Sequence, residues 1–252
     1  MKLSACITIN SREISVLDTV FASMRGQDYD EFIIVLDRVD PALADYCKTY
    51  WIHDTRVKFV EVAGAAGWRS PVKAWNAGYA AVTGDHLYCF SSETVQAAGN
   101  LAKARAILAD TPCVLFGKAE CSCGPSGTEV NWGGTAPGNL LCDSYHPRPL
   151  GFIWAAPMAN VRQIGGWDEA FDAGFWYDES DFFVRLWRTN LPFIFDDTIS
   201  GTHLHHERPE LTQTGIRTNA AYLVSKHGTL DPWSNTPRIS SHLPPRTTWY
   251  HI

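Results

Sequence analysis

Three acids, Asp178, Glu179 and Asp181, crowd the start of the segment WYDESDFFVRLWR. On a helix, Asp178, Asp181 and Arg185 would lie at i, i+3 and i+7 and share a face. One carboxylate can then pair with Arg185 while another faces a cleft, which is how a general base is held and kept ionised. The same run also reads as an acidic helix N-terminus favoured by the macrodipole. Further on, His203, His205 and His206 place three imidazoles together, a set suited to a metal or a phosphate. Glu93, at the end of HLYCFSSE, is a hard oxygen ligand suited to Mg²⁺ or Mn²⁺ against a diphosphate, with neutral Ser91 and Ser92 beside it. It reads equally as a helix-start residue. Asp37 ends the apolar run FIIVLD and could accept from a nucleobase N–H or a ribose hydroxyl, or cap the following turn. Gly165-Gly166-Trp167-Asp168-Glu169 is a tight turn carrying an indole and two acids.

These residues need elements to position them. Apolar runs predict strands at Leu3–Ile9, Phe32–Leu36, Val57–Val62 and His86–Phe90, with helices between them over Ile14–Met24 (Ser11 as N-cap), Ala42–Tyr50 and Val72–Val82. The continuous run FIIVL suits a strand buried on both faces. Such alternation argues for an α/β fold with a mostly parallel sheet. The second half predicts strands at Cys113–Lys118, Phe152–Ala156 and Pro192–Asp196, and helices over Trp176–Arg188 and Thr212–His227. Residues 121–150 read as loop or irregular hairpin. A single domain is expected over 1–230, with a nucleotide-binding half (1–95) and an acceptor or catalytic half (96–210). Residues 231–252, with Pro232, Pro237, Pro244 and Pro245, read as an irregular tail.

Composition bounds the function. In 252 residues, 21 Lys and Arg face 27 Asp and Glu, a net charge of −6 that lacks the basic footprint of a nucleic-acid binder. No apolar run approaches the ~20 residues that cross a bilayer, and MKLSACITIN has no signal-peptide pattern, so a cytoplasmic protein is expected. Seven scattered Cys suit reduced, structural thiols. Cys121 and Cys123 with Cys142 and His146 are a weak zinc spacing. Ten Trp are unusual and hint at flat ligands, beside the plainer reading of a large aromatic core.

Ligands of open α/β sheets bind beyond the carboxyl ends of the strands. There stand Thr8–Arg12, Asp37 and Ser91–Thr94, with no G-x-G-x-x-G after the first strand and no P-loop. ITINSR, FIIVLD, KAWNAGYAAVTGDHLYCFSSE, IGGWDEAF and WYDESDFFVRL, in this order, resemble motifs of the family 2 glycosyltransferases. The resemblance covers residues 3 to 206 or so. It implies the GT-A fold: a Rossmann-like, mostly parallel central sheet flanked by helices, with a smaller mixed acceptor-side sheet. By position it implies nucleotide contacts from Thr8, Asn10, Arg12, Asp37, Arg69, Lys73, Asn76, Ser91 and Ser92. It implies a divalent cation, Mn²⁺ or Mg²⁺, on Glu93, His203 and His206, and a catalytic base at Glu179 with Asp178 beside it. Trp167, Asp168, Glu169 and Trp176 would meet the acceptor. Ser91 stands where the family has an acid, and Asp178-Glu179 reverses its Glu-Asp order. The implied reaction moves a sugar from a nucleotide-sugar, UDP foremost, to a glycan, lipid-linked or other hydroxyl, with inversion. The alternatives are a non-catalytic sugar- or nucleotide-binding homologue, a nucleotidyltransferase, and a phage-type DNA-base glycosyltransferase. The net charge speaks against the last.

Overall fold

The computed structural model describes residues 1–10, 13–64, 69–122, 140–206, 212–233 and 246–249. Its first half alternates as the apolar runs require: β1 (Leu3–Ile9), α1 (Ile14–Met24), β2 (Glu31–Asp37), α2 (Pro41–Tyr50), β3 (Val57–Val62), α3 (Val72–Ala81) and β4 (His86–Phe90). Every residue of β2 is buried, because helices cover both faces of the sheet. The side-chain period of two splits each strand between two cores. Ala5, Ile7, Phe32, Ile34, Tyr88 and Phe90 pack beneath α1 and α2. Cys6, Ile33, Val35, Leu87 and Cys89 pack on the other face with Trp75 and Tyr79 of α3. Helix α1 starts at Ile14 after Glu13, which makes no side-chain cap bond; the expected cap, Ser11, lies outside the described residues.

The second half comprises β5 (Thr94–Gln96), α4 (Asn100–Asp110), β6 (Val114–Cys121), β7 (Leu140–Cys142), β8 (Ile153–Pro157) and α5 (Met158–Gln163). A 3-10 turn (Glu169–Ala173) then leads to α6 (Asp178–Trp187), β9 (Phe193–His203), α7 (Gln213–His227) and β10 (Arg246–Trp249). The sheet order is β10-β9-β6-β8-β4-β1-β2-β3, with β5 on β9 and β7 on β6. Strands β3, β2, β1 and β4 are mutually parallel. β8 runs antiparallel to both β4 and β6, so it joins the two halves. The mixed acceptor-side strands therefore continue the central sheet and do not form a separate smaller one.

Two expectations change most. β9 does not stop at Asp196 but runs to His203, held by parallel pairing with β6 across a register shift at Gly117/Lys118. The stretch read as an irregular tail contains β10, an antiparallel edge on β9. No helix among the described residues is long and apolar enough to cross a membrane.

Most described indoles are core. Trp51, Trp75, Trp154, Trp167 and Trp187 are all buried, whereas Trp176 is 40% exposed. Trp68 and Trp132 lie outside the described residues. The described cysteines, Cys6, Cys47, Cys89, Cys113, Cys121 and Cys142, are free thiols, as expected of structural ones. The zinc spacing finds no support: Cys142 bonds the Gly117 carbonyl and His146 bonds Asp143, while Cys123 lies outside the described residues.

Candidate functional site

One cleft opens where β1, β2 and β4 end. It is lined by Thr8 near the end of β1 and Asn10 just after it, Asp37 at the end of β2, and Ser91, Ser92 and Glu93 after β4. Arg69, Pro71, Trp75, Gly151, Trp154, Trp167 and Glu179 complete the wall. Polar residues gather here because strand ends leave the apolar interior together while their neighbours stay paired.

Three potential metal ligands meet around Glu93, which lines the cleft; His203 and His206 lie outside the lining. Thr94 pairs with His203 across β5 and β9, and the Leu204 N–H donates to the Glu93 carbonyl at 2.8 Å. This pairing places Glu93, His203 and His206 so that one ligand atom from each lies within 4.8 Å of the others. His206 Nε2 is 3.5 Å from Glu93 Oε1. The Ser122 N–H holds the His203 carbonyl at 2.8 Å, and Cys121 Sγ lies 3.9 Å from His203 Nδ1. One carboxylate with two imidazoles is a donor set for a borderline divalent ion; it fits Mn²⁺ better than Mg²⁺, which prefers oxygen throughout. It is the one such group among the described residues.

At the end of β2 Asp37 is buried, and burial raises its pKa, opposed chiefly by Arg38. Arg38 Nε lies 3.2 Å from Asp37 Oδ1, but neither carboxylate oxygen has a hydrogen-bond partner among the described residues. A buried carboxylate left so is ready for an N–H or O–H from a ligand. Asn10 Nδ2 donates to the Asp37 carbonyl at 3.1 Å and fixes the strand end. Beyond it, Asp172 gathers three cations: Lys73 Nζ at 2.8 Å, Arg38 Nη2 at 3.2 Å and Arg69 Nη1 at 3.9 Å. Arg38 is shared with Asp37, so these three cations stand against two carboxylates.

Glu179 reaches the cleft from the first turn of α6. Its Oε1 accepts the Gly151 N–H at 3.2 Å, and a side chain at Gly151 would collide with that carboxylate. Burial and the neighbouring Asp178 raise Glu179 to about 8. Asp178 itself is raised to about 6 by burial, partly offset by the Ser70 hydroxyl, which donates to Oδ1 at 3.1 Å. Neither makes an ion pair among the described residues. Asp181 does: it takes Arg185, Lys226 and His227. The helix thus pairs one acid with Arg185 and turns another to the cleft.

Several expected contacts fall elsewhere. Lys73 is held by Asp172 and does not line the cleft. Asn76 is a structural tie: its amide bonds the Trp167 N–H and carbonyl, and also Glu169. Glu169 is therefore turned to α3, away from the cleft. Asp168 caps the 3-10 turn and takes Tyr222 and Lys226. Trp167 lines the cleft, yet it is a core residue stacked on Phe182 at 4.1 Å with its indole N–H on Tyr79. Asp178 points to Ser70, so of the two acids Glu179 alone lines the cleft. Trp176 is exposed just before α6 and outside the lining. Arg12 lies outside the described residues.

Arg38, Ser70, Trp75, Gly151, Trp154 and Asp172 carry parts of the site that the sequence patterns do not mark. Arg38, next to Asp37 and at φ 56°, is the one with a readable signal: a charged residue directly following a strand-end acid.

Comparison with protein-family models and with curated proteins finds no match. Solved structures do match. The chain is similar to residues 1–349 of S. aureus TarS (TM-score 0.60, 12% identity, 90% of this chain and 65% of that one). It is similar to GalNAc-T7, solved with UDP, GalNAc and Mn²⁺ (TM-score 0.65, 12%, 89% and 47%). It is also similar to the mannosyltransferase PcManGT from Pyrobaculum calidifontis, solved with GDP-Man and Mn²⁺ (TM-score 0.58, 16%, 90% and 63%). The chain has the GT-A fold of these proteins and spans between about half and two thirds of their length.

Proposed function

We propose that this chain transfers a sugar from a nucleoside diphospho-sugar to an acceptor hydroxyl, inverting the anomeric centre. The observation that carries the reading is that one strand-end cleft is lined by both Glu93 and Glu179. Glu93 brings His203 and His206 within 4.8 Å of its ligand atom, and Glu179 is an acid with no cation partner among the described residues. Glycosyl transfer by solved proteins of the same fold supports it.

Asp37 would accept from the nucleoside, foremost a uracil N–H, with Thr8 and Asn10 beside it. Arg69, in the cleft wall, would meet the diphosphate, and Lys73 would do so on leaving Asp172. Ser91 and Ser92 supply neutral oxygens. Glu93, His203 and His206 would hold Mn²⁺, which when bound neutralises charge on the departing diphosphate. Glu179 takes the proton of the acceptor hydroxyl; that oxygen bonds to the anomeric carbon as the carbon–phosphate-oxygen bond breaks, leaving a nucleoside diphosphate. A carboxylate raised to about 8 is a strong base for its type once ionised. Trp176 offers an exposed indole for a sugar acceptor to stack on. The acceptor falls in the class of glycans, lipid-linked saccharides or other alcohols.

The test is a panel of UDP-, GDP- and dTDP-sugars with Mn²⁺ and simple glycan acceptors, reading nucleoside diphosphate release. Release with one donor, lost in Glu179→Gln, is expected. No release by folded protein from any donor would overturn the reading.

A further inference from the structure

Helix α7 lies outside the cleft, is mostly exposed, and buries just two of its residues, Asn219 and Leu223. Asn219 is fully buried. A helix that needed only to dock would bury another aliphatic residue there, since a buried amide is costly unless its bonds are made. The Asn219 amide makes them from its Nδ2 end alone, all to one place, while its buried Oδ1 has no hydrogen-bond partner among the described residues. Its Nδ2 donates to the carbonyls of Phe171 and Trp176, each at 3.0 Å, and lies 3.5 Å from Ser70 Oγ. The two carbonyls bracket the turn that leads into α6. Ser70 Oγ in turn donates to Asp178, the neighbour of Glu179.

That turn is costly to hold. Trp176 and Tyr177 are consecutive non-glycine residues in the left-handed region, at φ 64° and 65°. Such conformations persist only where the surroundings over-determine them. Here α7 does so by interlocking. The Phe175 N–H donates to the Gly215 carbonyl at 3.2 Å, and the Ser70 N–H donates to the Gly174 carbonyl at 3.3 Å. A side chain at Gly174 would collide with the Gly215 carbonyl and with Asn219, and one at Gly215 would strike the Phe175 ring. The far end of α7 is pinned by Lys226 and His227 on Asp181 and by Tyr222 on Asp168.

We propose that Asn219 is a positioning residue: through the Trp176 carbonyl and Ser70 it fixes the left-handed turn that sets the exposed Trp176 indole and the Asp178-Glu179 pair relative to each other. The catalytic consequence rests on the glycosyl-transfer reading; the conformational claim does not. Removing the amide takes this donor from the Trp176 carbonyl, leaves the Phe171 carbonyl with the Gly174 N–H, and frees Ser70, so the turn relaxes toward ordinary φ values. Acceptor placement then suffers while the nucleotide end of the cleft, built on β1 and β2, is untouched.

The experiment compares wild type with Asn219→Leu, Ser70→Ala and the double variant. In Asn219→Leu, amides of residues 174–181 should exchange with solvent at least tenfold faster, with those of β1 and β2 unchanged. With the donor found active, kcat should fall about tenfold in each single variant, as loss of a hydrogen bond at a charged group implies. The UDP–Mn²⁺ affinity should stay within twofold. The double variant should be no worse than either single one, because both break one relay. Unchanged exchange at 174–181, a loss of nucleotide affinity in step with kcat, or additive losses would overturn the proposal. If Asn219→Leu does not fold, the exchange and kcat of Ser70→Ala decide it. Wild type with no transferase activity would sink the glycosyl-transfer reading, while the exchange measurement still tests the turn.

Discussion

Glu179 and Asp181 stand two residues apart on α6, and the two faces of that helix treat them oppositely. On the packing face, Asp181 is fully buried and takes Arg185 Nε, Lys226 Nζ and His227 Nε2, each at 2.8 Å. On the cleft face, Glu179 has one backbone N–H and a like-charged neighbour, and its pKa is raised to about 8. Burial with cations makes an acid part of the scaffold; burial without them keeps it a base with an unmet demand for a proton. The macrodipole favours all three acids of this first turn, so helix position does not separate the roles. The neighbours supplied by α7 do.

The contrast can be broken experimentally. The largest effect is expected from Glu179→Gln, which should lower kcat by roughly 10² to 10⁴, the usual worth of a general base. It should also stabilise the fold at pH 7. The raised folded pKa means the native state holds this proton more tightly than the unfolded chain. Wild-type stability therefore declines relative to the Gln variant as pH rises from about 4.5 to about 8. Thermal melts of both proteins across that window check the sign.

Asp181→Asn should do the reverse. Breaking a buried, cation-paired acid costs about 3–5 kcal/mol, with kcat of the folded fraction nearly kept. Equal losses of stability in the two variants would erase the distinction between the faces. Next in size, His203→Ala should weaken Mn²⁺ binding by at least ~10-fold, below which even outer-sphere partners rarely fall; isothermal titration reads it. The smallest effect is the pH profile. Transfer should rise between pH 6 and 8 as Glu179 ionises, and flatten above, in a kcat measurement with saturating donor and Mn²⁺.

Much of the donor half was readable from sequence because buried parallel strands are apolar runs, and the residues that end them face the ligand side by topology. Thr8, Asp37 and Glu93 line the cleft for that reason. What surrounds Glu179 was not readable, because it depends on approach between distant segments. Gly151 is one glycine in a Gly/Pro-rich stretch, and its value lies in the space it leaves for Glu179. Asn219 sits in a polar helix whose periodicity marks no face. Asp172 gathers cations from two distant segments, Arg38 after β2 and Arg69 with Lys73 at the start of α3. Residue type misleads too: Trp167 and Trp176 are the same side chain near the same motif, yet one stacks in the core and the other is exposed. The final strand β10 was hidden because its four residues, Arg246–Trp249, follow a proline-rich stretch and acquire strand form by pairing with β9.

The central claim is that Glu93, His203 and His206 hold a divalent cation beside a nucleoside diphosphate site ending at Asp37. Thermal melting with UDP, GDP and dTDP, each with and without Mn²⁺, tests it most directly, since a ligand bound only by the folded state raises the melting temperature. The account predicts a rise of several degrees with one nucleoside diphosphate, UDP foremost, that requires Mn²⁺ and is lost in His203→Ala. No rise with any of the three in the presence of Mn²⁺, or an equal rise in His203→Ala, would contradict it.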